Sequence, residues 1–319
     1  MTTQQMHTAA DETAREGWPT VAVVVPTRDR PELLRHALQR ILEQDYPGDV
    51  RCVVVFDHSD PDLGLAVDDD HRGVLVMGNE RSPGLAGGRN TGILAADSEL
   101  VAFCDDDDAW LPGKLRAQVE ELVAHPEASL VSCGIRVVYD GATTDRVLAA
   151  RHVTLQDLLR SRLTELHPST FLMRRAAVVD GFGLVDEHIP GSYGEDYEFL
   201  LRATRHGPVV NLADVYVEVL WHKKSYFASR WDTIITALRW LLERYPEFRS
   251  VPAGEARICG QIAFAYAAQG NRREAVRWAA RTLRRNPREA RAVLALAVAS
   301  RAVSADGVLR RLHEHGRGV

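Results

Sequence analysis

The stretch Val101-Ala102-Phe103-Cys104-Asp105-Asp106-Asp107-Asp108-Ala109-Trp110 sets an apolar run directly against four consecutive carboxylates. The apolar residues read as the end of a buried strand. Four adjacent carboxylates at a strand end repel one another, and a cation among them relieves that cost. A hard divalent ion with oxygen ligands suits the position. A solvated acidic loop is the bland alternative.

Upstream, Val21–Val25, Cys52–Phe56 and Val74–Met77 are continuous apolar runs, the pattern of parallel strands buried on both faces. Leu33, Leu34, Ala37, Leu38, Ile41 and Leu42 repeat at helical spacing after Pro31, which suits a first helical turn. Strand, helix, strand with short links is a βαβ unit, and such sheets bind ligands beyond the carboxyl ends of their strands. The turns Pro26-Thr27-Arg28-Asp29-Arg30 and Asp57-His58-Ser59-Asp60 fall at those ends. Gly84, Gly87, Gly88 and Gly92 predict a flexible loop able to approach a phosphate, opening a helix whose body is Ile93–Ala96. The sequence there is not a Walker A motif.

Downstream, a helix is expected after Pro112, a strand over Leu130–Val138, a helix over Thr154–Leu166 and a strand over Phe171–Met173. A turn is expected at Asp180–Gly183. The loop Gly191–Gly194 delivers Glu195 and Asp196 to the start of another helix, with Arg202 on its exposed face. Two strands, Val209–Leu212 and Val215–Trp221, end at His222. Beyond Tyr226 the pattern is helical throughout. Ile262, Ala263 and Tyr266, then Gly270-Asn271, then Ala275, Val276, Ala279 and Leu283, then Asn286-Pro287 resemble one tetratricopeptide repeat.

Composition bounds the chemistry. The chain has 319 residues, 45% hydrophobic and 26% charged, as soluble globular proteins do. A net charge of -5 gives no global field that favours nucleic acid. Residues 271–311 nonetheless carry eleven arginines against three acids, a candidate surface for an anionic acceptor or a membrane. Cys52, Cys104, Cys133 and Cys259 lie far apart in apolar runs, and read as reduced core residues of a cytoplasmic protein. No apolar segment reaches the roughly 18–20 residues of a membrane span. Residues 1–17 are polar and are expected to be a disordered tail. Residues 18–226 are expected to form the α/β domain, and 227–319 a helical region that offers a surface for a protein partner or self-association.

Four of these segments resemble family 2 glycosyltransferases of the GT-A fold. Val23-Val24-Val25-Pro26-Thr27-Arg28-Asp29-Arg30 is similar to their first-strand signature. Gly87-Gly88-Arg89-Asn90-Thr91-Gly92-Ile93 is similar to their Arg-Asn-x-Gly segment. Phe103–Pro112 is similar to their DxD segment, and Gly194-Glu195-Asp196-Tyr197-Glu198-Phe199 to their Glu-Asp segment. The resemblance covers about residues 20–225. It implies an α/β domain with a mostly parallel central sheet, followed by the all-α region. It also implies transfer of a sugar from a nucleotide donor, with a UDP-sugar favoured, to an acceptor nucleophile with inversion. The acceptor could be a natural product, a peptide or a glycan.

By the same resemblance, Asp196 is the catalytic base and Glu195 shapes the site. Asp107 is the direct ligand of Mn2+ or Mg2+, Asp105 and Asp106 support the metal or the donor ribose, and Asp108 serves the turn. His222 is a further candidate ligand. Pro26, Thr27, Arg28, Asp57, Arg89 and Asn90 face the donor. The family's second strand usually ends Asp-Asp-Gly-Ser, whereas this chain has Phe56-Asp57-His58-Ser59. Asp57 can still accept from a uracil-type imide. A sugar-phosphate nucleotidylyltransferase would need a glycine-rich first loop, which Pro26–Arg30 lacks. A non-catalytic scaffold would not need Asp105–Asp108 and Glu195-Asp196 intact.

Overall fold

The computed structural model describes residues 17–221 and 230–314. His222 and the tail 1–16 lie outside the described residues, as do the last residues, 315–319.

The first strand, β1 (Val21–Thr27), is buried along its whole length. The expected helix follows as α1 (Pro31–Leu42), with Pro31 in its first turn and Leu34, Ala37, Leu38 and Ile41 buried. Next come β2 (Val50–Phe56), β3 (Arg72–Gly78), α2 (Leu85–Ala95) and β4 (Leu100–Phe103). β5 (Ala109–Trp110), α3 (Lys114–Ala124), β6 (Leu130–Tyr139), β7 (Ala142–Arg146) and β8 (His152–Val153) continue the chain. α4 (Leu155–Arg160), β9 (Leu172–Arg174), α5 (Glu195–Ala203) and β10 (Val209–Leu220) complete the α/β part.

The strands form one sheet in the order β3-β2-β1-β4-β9-β6-β10-β5, with β7 beside β6 and β8 beside β10. The run β3-β2-β1-β4 is parallel throughout. β9 is antiparallel to both neighbours, and β6 and β10 are again parallel. Strand order switches at β1, which has β2 on one side and β4 on the other. The carboxyl ends of β1 and β4 are therefore where such a sheet opens a crevice for ligands.

Several sequence expectations change. The glycines at 84–92 do not form a loop. Only Gly84 precedes α2, with φ at 109°, and the other three lie inside the helix. A Cβ on Gly87 would sit 1.8 Å from the Ser82 carbonyl oxygen, and one on Gly92 would sit 2.3 Å from Val24 Cγ1. Close approach to the Ser82 backbone at Gly87 and to β1 at Gly88 and Gly92, not loop freedom, requires them. The helix expected over Thr154–Leu166 stops at Arg160. Leu163 takes a positive φ of 49°, and Pro168 keeps the chain before it extended.

The turn at Asp180–Gly183 is one wide helical turn, Ala177–Phe182, that ends at Gly183. The two strands expected before His222 are one, β10, with its register against β6 shifted between Leu212 and Val217. Gly134 of β6 makes room for that bulge, since a Cβ there would meet the Asp214 carbonyl oxygen at 3.0 Å. Arg202 is half-buried, not exposed. Its guanidinium donates to the Phe182 carbonyl at 2.7 Å and lies over the Phe199 ring.

All four cysteines are free and buried. Among the described residues, no helix is long and apolar enough to cross a membrane. The helical part comprises α6 (Trp231–Arg244), α7 (Pro252–Ala268), α8 (Arg272–Arg285), α9 (Ala290–Ala299) and α10 (Ala305–Glu314). Its core is built of small residues, among them Ala263, Ala267, Ala275, Ala279, Ala292 and Ala295, around Phe264. Val276, expected on the buried stripe, is exposed. Glu255 is buried between Arg281 at 2.7 Å and Arg285 at 2.6 Å, so its charge is compensated from two sides.

The chain forms two compact units. One holds residues 17–154, 163–187 and 199–221, and the other holds 155–162, 188–198 and 230–314.

Candidate functional site

In the α/β unit, β4 delivers its chain into the turn Asp105–Asp108, closed by the Asp108 amide donating to the Asp105 carbonyl at 3.1 Å. The four carboxylates have separate surroundings. Asp105 accepts from Arg89 at 2.8 Å, and Arg89 is itself buried with its guanidinium over the Phe103 ring. Asp106 is buried and accepts from the Thr27 hydroxyl at 2.7 Å, from the Arg28 amide at 3.4 Å and from Arg30 at 3.1 Å. Asp107 accepts from the same Arg30 guanidinium. Asp108 is buried and accepts from Ser169 Oγ at 2.5 Å and from the Leu220 amide at 3.3 Å.

These surroundings set proton affinity. Burial raises the Asp106 carboxyl above its usual range, against hydrogen bonds from Thr27 and the charge of Arg30. Asp108 is raised well above its usual range, first by burial and then by the charges of Asp105 and Asp107. Among the described residues, two guanidinium groups face these four carboxylates and His167 Nδ1 lies 3.4 Å from Asp108, which leaves a deficit of positive charge among them.

A divalent ion fits that deficit, and the oxygen-rich donor set suits Mg2+ or Mn2+. Asp105, Asp108 and His167 bring one ligand atom each within 4.8 Å of one another. Asp107 is outside that group and is held by Arg30. Ser169 ties the turn together, because its Oγ accepts from the Asp105 amide at 2.9 Å and donates to Asp108.

At the end of β2, Asp57 is buried and has one hydrogen bond on each oxygen. Asn79 Nδ2 donates at 2.8 Å and the Gly84 amide at 3.1 Å. Each oxygen keeps a further lone pair. His58 occupies the position of the family's glycine and keeps a glycine-like φ of 56°. Asp29, in the turn after β1, has φ at 54°. Both are non-glycine residues in the left-handed region at the rim.

The structure places other expected donor-side residues less directly. Pro26 lies within β1, with Gly88 packed close to its ring. The Arg28 side chain is exposed beside Asp29. Asn90 is committed locally: its Nδ2 donates to the Val185 carbonyl at 2.8 Å and to Glu187 at 2.7 Å, and its Oδ1 accepts from the Val185 amide at 2.9 Å. Burial raises the Glu187 carboxyl, but hydrogen bonds from Ser82, Asn90 and Arg81 outweigh it and hold the group down at about 2.

In the helical unit, Asp196 takes both its oxygens to Arg162 Nη2, at 2.9 and 3.0 Å. Asp196 is half-buried, and Glu195 beside it is buried. Both stand in the first turn of α5, where negative charge is favoured by the helix dipole. The Asp196 carboxylate raises the Arg162 guanidinium above its ordinary range despite burial.

Arg30, Asn79, His167, Ser169, Glu187 and Arg162 were not singled out by the sequence. Arg30 was legible as the last residue of the first-strand turn. The others join segments tens of residues distant, and no local pattern announces them.

A model of glycosyl transferase family 2 matches residues 22–182, half of the chain. The chain belongs to glycosyl transferase family 2. It is 23% identical over 141 residues to a UDP-Glc:alpha-D-GlcNAc-diphosphoundecaprenol beta-1,3-glucosyltransferase, WfgD, of Escherichia coli; the match covers 44% of this chain and 55% of the relative. It is 34% identical over 107 residues to a GalNAc(5)-diNAcBac-PP-undecaprenol beta-1,3-glucosyltransferase of Campylobacter jejuni, covering 32% and 34%. The matched segments thus span about half and a third of those two relatives. Among solved structures, S. aureus TarS 1–349 in complex with UDP-GlcNAc superposes with a TM-score of 0.58 at 18% identity, covering 93% of this chain and 92% of that one. A mannosyltransferase from Pyrobaculum calidifontis in complex with GDP-Man and Mn2+ gives 0.52 at 19% identity, covering 96% and 86%. The family 2 chain has the GT-A fold, followed by a helical region.

Proposed function

We propose that this family 2 chain is a metal-dependent glycosyltransferase. In this reading it moves a sugar from a nucleoside diphosphate donor, a UDP-sugar, to an acceptor hydroxyl by single inverting displacement. The turn Asp105–Asp108, four carboxylates gathered at the switch point of the sheet, carries the reading. Family membership favours it over a nucleotidylyltransferase or a scaffold. The helix pair α7 and α8 is assigned tetratricopeptide-like character on its sequence pattern.

Asp57 accepts the imide N–H of the base with its remaining lone pairs, held by Asn79 and Gly84. Thr27 and Arg30 fix Asp106, which supports the ribose. Arg89 holds Asp105 and brings positive charge toward the diphosphate. Asp105 and Asp107 would hold Mn2+ or Mg2+, Asp107 being the carboxylate that Arg30 pairs with. His222 is kept as a further candidate ligand on the sequence resemblance alone. The ion supplies charge neutralisation for the leaving diphosphate.

Asp196 takes the acceptor proton. Its hydrogen bonds from Arg162 hold it oriented, which suits a base that accepts the proton only as the hydroxyl attacks. Glu195 shapes the same turn. A screen of donor hydrolysis across sugar nucleotides, with and without Mn2+, tests this reading. Metal-dependent release of UDP from a UDP-sugar is expected, and no hydrolysis or binding of any sugar nucleotide overturns it.

A further inference from the structure

Besides the carboxylate turn, the α/β unit holds a second group of metal-type ligands, at the other end of β10. His125, Glu127 and His152 bring one ligand atom each within 4.8 Å of one another. His125 Nδ1 and Glu127 Oε1 are 3.0 Å apart. The His152 ring stands edge-on to that of His125, with centroids 5.7 Å apart. Glu127 and His152 are exposed and His125 is half-buried, so the group is reached from solvent.

The start of β10 holds the backbone beneath these ligands. His152 pairs with Val210, and Val153 with Val209. The Ser129 amide donates to the Pro208 carbonyl at 3.0 Å, and the Glu127 carbonyl packs so close to Gly207 that a Cβ there would lie 2.0 Å from its oxygen. His125 closes α3, its amide donating to the Glu121 carbonyl at 3.0 Å. With the backbone fixed in this way, side-chain rotation is all that an ion requires. The carboxylate turn lies at the opposite end of the strand, where the Leu220 amide meets Asp108. The strand between Val210 and Leu220 is roughly 30 Å long.

The donor set selects the metal. Two imidazoles and one carboxylate suit a borderline ion such as Zn2+, whereas Mg2+ prefers an all-oxygen shell. Two ligands of a tetrahedral Zn2+ stand roughly 3.4 Å apart, close to the His125–Glu127 separation. Glu121 supplies an orienting partner. Its Oε2 lies 3.5 Å from His125 Nε2 and accepts from Arg151 at 2.8 Å. A ligating histidine whose second nitrogen faces a carboxylate is held in one tautomer and one orientation. We propose that His125 Nδ1, Glu127 and His152 bind Zn2+, with water completing the shell and Glu121 orienting His125. The ion ties the end of α3 to β8, segments that β6 and β7 separate in the chain. This site is independent of the donor metal and of the transfer reading.

Equilibrium dialysis of the full chain against Zn2+, with bound metal counted by atomic absorption, tests this. Wild type is expected to hold one more Zn2+ per chain than His152→Ala. Asp105→Asn, in the carboxylate turn, is expected to keep that ion. Affinity at the site should fall about a hundredfold in His152→Ala and about tenfold in Glu121→Gln, which removes only the orienting charge. A thousandfold excess of Mg2+ should leave the ion in place. Zn2+ should raise the melting temperature of wild type by more than that of His152→Ala.

Glu127→Ala, also at an exposed position, repeats the comparison should His152→Ala fail to fold. Equal Zn2+ content in wild type and the folded variants overturns the proposal, and the three side chains are then a hydrogen-bonded surface group only. Loss of the same ion in Asp105→Asn overturns it too, because the ion then belongs to the carboxylate turn. Displacement by Mg2+ overturns the nitrogen ligands.

Discussion

The turn at the end of β4 and the first turn of α5 both present adjacent acidic residues, yet their partners differ. In the β4 turn, Arg30 and Arg89 face Asp105–Asp108, and burial, followed by the charges of Asp105 and Asp107, drives the Asp108 carboxyl well above its ordinary range. In the α5 turn, both Asp196 oxygens accept from the one nitrogen Arg162 Nη2, so that carboxylate already has its cation. One region gathers carboxylates that a cation would relieve, and in the other the leading carboxylate is already paired. Runs of the same residue type can therefore signal different ligands, and the neighbours decide which.

The most damaging way to break this contrast is to neutralise Asp196. Asp196→Asn is expected to lower turnover about a thousandfold, roughly 4 kcal/mol of barrier, while donor affinity stays within threefold. Near-wild-type turnover removes the base assignment. Asp107→Ala should do the converse, weakening the donor about tenfold to a hundredfold with Mn2+ present and little without it. Titration of UDP with and without the metal reads this directly. Equal affinities in the variant and wild type assign the ion to Asp105, Asp108 and His167 instead.

How much of this was legible before the structure depended on range. β1, α1, β2 and β3 follow from runs and periods within a dozen residues, and their bounds differ from expectation by two residues or fewer. The glycines of α2 were misread because their requirement comes from Ser82 and Val24, on other elements. The β10 bulge was misread as a break because Gly134, which accommodates it, is about eighty residues earlier. The carboxylate turn was visible as a charge run. Its inequality was not, since Ser169 and Arg30 sort Asp108 from Asp107 only once the chain is folded.

The smallest expected effect tests that inequality. A carboxyl raised in the folded state destabilises the fold as pH climbs from its unfolded value, about 4. Asp108 is such a group, so the metal-free wild type should lose stability between about pH 4 and the raised value. Asp108→Asn should flatten that slope, and at pH 8 the metal-free variant should be more stable by about 1 kcal/mol in urea denaturation. Glu187 provides the opposite sign within the same unit. Its carboxyl is held at about 2, so its contribution is fully present above about 4.5 and is lost as pH falls toward 2. Glu187→Gln should therefore cost about 1–3 kcal/mol at pH 7 and progressively less as pH falls from about 4.5 toward 2. If both variants shift stability in the same direction at every pH, the charge deficit at the β4 turn is not a property of the folded chain. Opposite slopes would place that deficit at Asp108 and give the metal a measurable amount of repulsion to relieve.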